Sequence, residues 1–167
     1  MRNIVLVVHN VRSCHNVGSL LRTADGLGLE KVYLTGYTPY PQTKNDQRLP
    51  HLAKKLTTQI NKTALGAQDS VDWEYKKSVG PIIKELEDQS FMVVALEQTP
   101  KSQKLTDFNP LDRVALVVGN EVDGLDSKIL DLCSAIVEVP MLGAKESFNV
   151  AVAAGMALYH LRYRYQL

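Results

Sequence analysis

The sequence predicts an α/β fold with a parallel sheet and helices on both faces. Short, uninterrupted apolar runs recur along the chain, and segments with helical periodicity separate them. Strands that are apolar on both sides need cover on both sides, as in a parallel sheet. With 167 residues, of which 45% are hydrophobic and 22% charged, the chain has the size and composition of one globular domain over residues 1–167.

The predicted elements follow one another in a clear order. The first strand covers residues 4–8, and the first helix carries apolar residues from Val17 to Leu27, with Asn16 as a possible N-cap. Further apolar runs predict strands at residues 32–34, 91–96, 114–118 and 135–139. A helix begins near Pro81, because proline suits a first helical turn.

The last predicted helix starts at about Ser147, a favourable N-cap residue. We expect it to end among Tyr163, Arg164 and Tyr165. Its apolar stripe consists of Val150, Ala154, Ala157, Leu158 and Leu161. Met156, Tyr159 and Tyr163 lie away from that stripe, and a second apolar surface on one helix is typical of an interface.

The segment at residues 36–62 is less regular and basic. Its five basic residues, which face the single acid Asp46, are Lys44, Arg48, Lys54, Lys55 and Lys62. The whole chain carries a net charge of only +1, so any attraction to a polyanion has to be local. A solvated surface and an RNA-facing patch are both compatible with this excess of positive charge.

Several classes of protein are not indicated. Cys14 and Cys133 match neither a metal-binding spacing nor a disulfide framework, so we expect no metal. The N-terminus lacks the pattern of a signal peptide, and no apolar run approaches the roughly 20 residues that span a bilayer. A cytoplasmic protein without membrane contact is therefore expected.

Ligands of open parallel sheets bind beyond the carboxyl ends of the strands, so we expect the binding residues in the loops after the strands. The first such loop leads into Asn16 and Gly18, where a phosphate or sugar could approach the helix. The loop at residues 119–125 places two glycines around Asn120 and Glu121, which is compatible with close ligand approach or with an ordinary polar turn. The loop at residues 140–149 precedes the last helix.

Together these segments resemble a known family. The stretches are N-V-G-S-L-L-R-T-A at 16–24, G-N-E followed by G-L at 119–125, and V-P-M followed by S-F-N-V at 139–150. In this order they resemble the three motifs of the SpoU/TrmH branch of the SPOUT RNA methyltransferases. The resemblance covers nearly the whole chain and implies a minimal, catalytic-domain-only member.

This resemblance implies methylation of a ribose 2′-hydroxyl in RNA with S-adenosylmethionine as cofactor, a C-terminal trefoil knot, and a homodimer. Transfer RNA is favoured over ribosomal RNA by analogy with short members of the branch. By motif, the cofactor-binding residues are Leu96, Gly119, Val139, Met141 and Phe148. The catalytic or substrate-facing residues are Asn16, Arg22, Glu121, Ser147 and Asn149.

The expected roles follow from the chemistry. Arginine is almost always protonated, so we expect Arg22 to hold a phosphate and to stabilise the developing alkoxide rather than to remove a proton. Glu121 is expected to fix Arg22 or the loop. His9 and His15 are better suited than Arg22 to accept a proton at neutral pH, because histidine titrates in this range. Both fall outside the motifs, so we expect structural or substrate-contact roles. Val122, Phe148 and Ala151 depart from the family pattern.

Two other functions remain open at this point. A knotted relative that methylates a base atom would be expected to carry different motifs. A knotted RNA-binding protein without catalysis would not need S-adenosylmethionine, because a fold does not fix a function.

Overall fold

The computed structural model describes residues 1–164, and within them seven strands form one sheet. In chain order the strands are β1 (Asn3–His9), β2 (Lys31–Thr35), β3 (Trp73–Lys76), β4 (Met92–Leu96), β5 (Gln103–Lys104), β6 (Arg113–Val118) and β7 (Ala135–Glu138). Across the sheet they lie in the order β3-β2-β1-β6-β4-β7-β5, and these neighbours all pair in parallel. The predicted parallel α/β sheet is confirmed.

Helices cover both faces of this sheet, as predicted. They are α1 (Cys14–Gly26), α2 (Pro50–Ala64), α3 (Ala67–Ser70), α4 (Gly80–Asp88), α5 (Ser127–Leu130) and α6 (Val150–Tyr163), with a 3-10 turn at Leu105–Asp107. Leu20, Ile60 and Leu158 bring α1, α2 and α6 into the core on one face. On the other face Ile83 and Ile129 bring in α4 and α5. The trefoil knot stays a prediction implied by the resemblance.

The structure adds two strands that the sequence did not predict. β3 lies at one edge, pairs with β2, and consists of the partly buried residues W-E-Y-K. β5 contains two exposed residues at the other edge. Edge strands that are not buried on both faces lack the apolar run by which a central strand is recognised. The irregular segment at 36–62 contains α2, which buries Ala53, Ile60 and Ala64.

Both motif helices start at a different residue from the one predicted. The N-cap of α1 is Ser13, whose side chain accepts a hydrogen bond from the backbone N–H of Asn16, so Asn16 lies inside the first turn. The N-cap of α6 is Asn149, whose side chain accepts from the N–H groups of Ala151 and Val152, so Ser147 is not the cap. The helix ends at Tyr163, and Tyr165 lies outside the described residues.

The register brings the strand ends to one edge of the sheet. Val8 of β1 pairs with Leu34 on one side and with Val118 on the other. Ala95 pairs with Val117, and Leu96 with Val137. The loops that follow β1, β2, β4, β6 and β7 therefore leave from the same side, which we call the carboxyl edge.

Candidate functional site

The turn after β6 is closed by its own backbone. The N–H of Asn120 donates to the carbonyl of Gly124 at 3.2 Å, and the N–H of Gly124 returns a bond of 3.1 Å. A Cβ atom on Gly119 would lie 2.7 Å from the carbonyl carbon and oxygen of Gly124. The close approach that requires glycine at 119 is therefore made by the chain itself, where the sequence suggested a ligand.

The Asn120 side chain holds this turn against the neighbouring loops. Its Oδ1 accepts from the N–H groups of Val122 and Asp123 at 2.7 and 2.9 Å. Its Nδ2 donates to the carbonyl of Asn10 at 3.1 Å and to the hydroxyl of Tyr37 at 2.7 Å. Asn120 is buried, and all of these bonds are satisfied within the protein, so we assign it a positioning role that sequence reasoning missed.

Glu121 links the same turn to the start of α1. Its Oε2 accepts from the N–H of Arg12 at 3.0 Å, and its Oε1 accepts from the N–H of Ser13 at 3.1 Å. Burial raises the pKa of this carboxyl, but the hydrogen bonds from Arg12, Asn16 and Ser13 outweigh burial and hold the pKa below its ordinary value. Glu121 is therefore an ionised carboxylate that fixes the loop, as one of its two expected roles required.

Asn16 connects Glu121 to the last helix. Its Nδ2 donates to Oε1 of Glu121 at 2.8 Å, and its Oδ1 accepts from Nδ2 of Asn149 at 3.1 Å. Asn149 in turn caps α6. Three of the five predicted catalytic residues thus form one hydrogen-bonded chain across the carboxyl edge.

The other two predicted catalytic residues stand outside this chain. Arg22 is exposed on α1, and within residues 1–164 its guanidinium has no hydrogen-bond or ion-pair partner, so Glu121 does not fix it. Ser147 is exposed on the loop before α6 and lines a cavity beside the turn. Both side chains are accessible to a bound molecule.

This cavity, of about 300 Å³, lies over the ends of β4, β6 and β7. Its apolar wall is formed by Leu96, Val118, Val139, Phe148, Val150 and Ala153. Its acidic residues are Glu97, Glu121, Asp123, Glu138 and Glu146, and no lysine or arginine of the described chain lines it. Four of the five predicted cofactor residues line the cavity, whereas Met141 is not among its lining residues.

Glu97 is a second residue that sequence reasoning missed. Its Oε2 accepts from the N–H of Leu125 at 2.9 Å, and its Oε1 accepts from the N–H of Gln98 at the same distance. A Cβ on Gly124, which has φ +66°, would lie 2.2 Å from that Oε2 atom. The signal available in the sequence was an acid directly after the predicted strand at residues 91–96.

The remaining motif residues have structural explanations. A Cβ on Gly18 would lie 2.3 Å from the carbonyl oxygen of Ile60 and 2.2 Å from the hydroxyl of Thr63, so this glycine allows α1 to pack on α2. The sequence had suggested a phosphate or sugar there. Val122 is exposed and is not among the described residues with positive φ, so the turn does not require the glycine that is usual in the family.

His9 has a structural role. Its Nδ1 lies 2.9 Å from the hydroxyl of Thr35, and its Nε2 lies 2.9 Å from Nδ2 of Asn10. Burial lowers the pKa of His9, and the charge of Asp126 opposes this only in part. A neutral ring with both nitrogens occupied is not available as a base. His15 is exposed, and its carbonyl accepts from the hydroxyl of Thr63.

The basic segment divides into two parts. Arg48 donates from Nε to Asp46 at 2.8 Å and from Nη1 to the carbonyl of Tyr40 at 2.9 Å, and its guanidinium carbon lies 3.5 Å from the Tyr40 ring centroid. Arg48 is therefore a structural residue whose charge Asp46 balances. The exposed lysines that keep the excess charge are Lys44, Lys54, Lys55 and Lys62.

Residues 1–164 contain neither a metal-binding cluster nor a membrane-spanning helix. No cluster of three or more histidine, cysteine, aspartate or glutamate residues is arranged to hold a metal ion. None of the helices in that range combines the length and apolarity needed to cross a bilayer.

The sequence of this chain matches the model of the SpoU rRNA Methylase family over residues 3–159. The protein belongs to this family. The chain is also 30% identical over 159 residues to the 23S rRNA (guanosine-2′-O-)-methyltransferase RlmB of Neisseria meningitidis, a match that covers 95% of this chain and 58% of that protein. Family membership confirms the resemblance read from the three motifs.

Solved structures show the same fold. The TrmH/SpoU tRNA modifying enzyme of A. aeolicus superposes with a TM-score of 0.78 at 23% identity, covering 97% of this chain and 75% of that one. AviRb of Streptomyces viridochromogenes, solved with the cofactor AdoMet, gives a TM-score of 0.76 at 24% identity, covering 96% and 57%. This chain therefore spans less than two thirds of the RlmB and AviRb chains.

Proposed function

We propose that this protein transfers the methyl group of S-adenosylmethionine to a ribose 2′-hydroxyl in RNA, with tRNA as the substrate. The observation that carries the proposal is an acidic, partly apolar cavity next to the hydrogen-bonded chain Glu121, Asn16 and Asn149. RlmB, the relative in N. meningitidis, is named for guanosine 2′-O-methylation. The choice of tRNA follows the analogy with short members of the branch, so both RNA classes belong in the test.

The residues of the cavity fit S-adenosylmethionine. When bound, this cofactor supplies an electrophilic methyl group on a positively charged sulfonium. Five acidic residues and no described basic residue line the cavity, which favours a cation and disfavours phosphate-bearing nucleotides. Leu96, Val139 and Phe148 offer apolar contacts, and ligand pockets are commonly apolar with a few placed polar groups.

The chain's own residues would position the nucleophile. Arg22 is exposed and unpartnered among the described residues, so its guanidinium is available to an RNA phosphate or to the oxygen that loses its proton. Ser147 lines the cavity and has a hydroxyl that can orient the ribose or the cofactor. Alignment of this kind supplies much of the rate of a displacement reaction.

Glu121 is not the proton acceptor in this proposal. Its two carboxylate oxygens already accept three hydrogen bonds from Arg12, Ser13 and Asn16, and the lowered pKa makes it a weak base. Its function is to hold the first loop against the turn at residues 119–125. Asn149 has the corresponding function for α6.

A homodimer is part of the proposal. On α6, Val152, Met156, Tyr159 and Tyr163 recur at spacings of four, three and four residues, and their exposed fractions are 49, 39, 62 and 49%. This exposed stripe lies on the helix whose opposite side buries Leu158 and Leu161. A second copy of the chain would cover it. Sedimentation should give about twice 18.6 kDa, and Tyr159→Asp with Tyr163→Asp should give a monomer.

Transfer of radiolabelled methyl groups tests the proposed function. Purified protein is incubated with labelled S-adenosylmethionine and, separately, with tRNA and rRNA from cells that lack the protein. We expect label in tRNA from the cells that lack the protein. As a control, tRNA from cells that contain the protein should take up no label, because its site is already methylated. Label confined to rRNA would contradict the substrate, and binding of RNA with no transfer to either class would favour the non-catalytic alternative.

A further inference from the structure

An exposed aromatic ring stands beside the turn after β6. Tyr37 follows β2 at the carboxyl edge, and 54% of its surface is exposed. Its hydroxyl accepts from Nδ2 of Asn120 at 2.7 Å, and its backbone N–H donates to Oδ1 of Asn10 at 3.1 Å. The ring is therefore fixed at both ends while much of its surface remains in solvent.

The loop that carries Tyr37 is rigid for reasons that do not involve the ring. The buried hydroxyl of Thr38 donates to the carbonyl of Thr35 at 2.8 Å and accepts from the N–H of Val11 at 3.2 Å. The hydroxyl of Tyr75 donates to the carbonyl of Gly36 at 2.7 Å. Gly36 has φ +69°, and a Cβ there would lie 2.0 Å from Oδ1 of Asn10. These bonds hold the backbone of the loop in place without any contribution from the Tyr37 side chain.

A positive charge lies beside this ring. The side chain of Arg12 is exposed and lies 3.4 Å from the carboxylate of Asp123. Oδ1 of Asn10, two residues before Arg12, accepts from the backbone N–H of Tyr37, so Arg12 and Tyr37 belong to neighbouring loops that are bonded to each other. Tyr37 and the acids Asp123 and Glu121 raise the pKa of Arg12. Because the Arg12 backbone N–H also binds Glu121, the ring and the cation belong to the same rigid edge as the cavity.

We infer that Tyr37 is a stacking platform for a base of the RNA substrate, next to the nucleotide whose ribose enters the site. Proteins that bind unpaired RNA combine cationic groups with exposed aromatic rings on which bases stack. Tyr37 supplies the ring on a loop that is held by hydrogen bonds, so little ordering of this loop is required on binding, and Arg12 supplies an exposed cation. The inference rests on the proposed function for the identity of the ligand as RNA.

Three substitutions separate stacking from a structural role. All three variants lose the hydroxyl bond to Asn120. Tyr37→Phe keeps the aromatic ring, Tyr37→Leu keeps an apolar side chain without a ring, and Tyr37→Ala keeps neither. Dissociation constants are measured by filter binding with unfractionated tRNA and with fragmented rRNA. For the RNA that binds, we expect Tyr37→Phe to stay within about twofold of the original protein, and Tyr37→Leu and Tyr37→Ala to bind about tenfold or more weakly.

The outcomes are distinct from those of the methyl-transfer test. A Leu variant that binds as well as the original protein, or a Phe variant as weak as the Leu variant, overturns the stacking role. Failure of the original protein to bind either RNA also overturns it. Cofactor affinity, measured by calorimetry with S-adenosylmethionine, should be the same in the three variants, because all three lose the same bond to Asn120. If the original protein binds RNA but transfers no methyl group, the proposed function fails while the stacking comparison is still decided.

Discussion

The side-chain amide nitrogen of Asn16 lies 2.8 Å from Oε1 of Glu121, a contact between residues 105 positions apart in sequence. It joins the first turn of α1 to the turn after β6, and the bond from Asn149 to Asn16 extends the connection to α6. The three motifs of this family therefore meet as one polar structure. Asn16, Glu121 and Asn149 hold one another in place through hydrogen bonds within the protein.

We predict that Asn16 and Glu121 are energetically coupled. Asn16→Ala and Glu121→Gln should each destabilise the fold, because a hydrogen bond to a charged group contributes about 1.5–3 kcal/mol. The double variant should lose less than the sum of the single variants, with a coupling of about 1 kcal/mol or more. Urea unfolding of the four proteins measures this, and strictly additive losses would contradict the link.

The same carboxylate predicts a pH dependence of stability. The folded pKa of Glu121 is lowered, so its contribution is fully present above the unfolded value of about 4.3 and is lost as the pH falls toward the folded pKa. The free energy of unfolding should therefore differ between the original protein and the Glu121→Gln variant at pH 7. This difference should become smaller as the pH falls below about 4.3. A difference that stays constant with pH would show that the charge of Glu121 is not involved.

Arg22 should act on RNA and not on the cofactor. We expect Arg22→Ala to reduce methyl transfer by about a hundredfold or more, as for the loss of one charge-stabilising donor at a reaction centre, without changing S-adenosylmethionine affinity. Arg22→Lys should also fail, because an ammonium lacks the planar fork of a guanidinium. Kinetics and calorimetry on both variants test this. Near-normal turnover by the Lys variant would show that a positive charge at this position is sufficient and that the geometry of the guanidinium is not required.

The basic segment provides a matched pair of substitutions. Arg48→Ala breaks the partly buried, hydrogen-bonded pair with Asp46 and should destabilise the fold by about 1.5–3 kcal/mol. Lys54→Ala combined with Lys62→Ala removes exposed charges and should leave the melting temperature nearly unchanged. If the lysines contact RNA phosphates, the double variant should also show a smaller salt dependence of RNA binding. Unchanged binding at low salt would assign the lysines to a solvated surface.

The two cysteines should be unreactive in the native protein. Burial raises the pKa of the Cys133 thiol to about 12, with a smaller effect from Glu87, and burial also raises the pKa of Cys14. Because the thiolate is the reactive form, iodoacetamide at pH 8 should label both thiols slowly in the native state and rapidly in guanidinium. Mass spectrometry resolves the sites, and rapid native labelling of Cys133 would contradict its burial.

The central strands were predictable because burial on both faces leaves an uninterrupted apolar run in the sequence of each strand. β1, β4 and β6 are apolar on both sides, and an apolar run without alternation is the direct consequence of burial between two helix layers. β3 could not be recognised in the same way, because W-E-Y-K lies at an edge and pairs with β2 alone in its sheet. Its place depends on a partner more than thirty residues earlier in the chain.

The site was predictable in composition more than in arrangement. The motifs supplied Glu121, Asn16 and Asn149, but which of them bond to each other depends on the register of β1 beside β6 and on the start of α6. The glycines show the same limit. Gly18 has to be small because Ile60 and Thr63 of α2 pack directly against it. No local sequence pattern identifies α2 as its neighbour. Glu97 and Asn120 act through the backbone of other loops, so their roles needed the fold.

The position of the transferred methyl group tests the central claim most directly. After incubation with labelled S-adenosylmethionine, the RNA is digested to nucleosides, and each labelled nucleoside is fragmented by mass spectrometry into base and sugar. We predict that the added methyl mass stays with the ribose and that Arg22→Ala reduces its amount by about a hundredfold or more. Labelled methyl groups on a base, or no labelled nucleoside from any RNA class, would contradict ribose 2′-O-methylation by this protein.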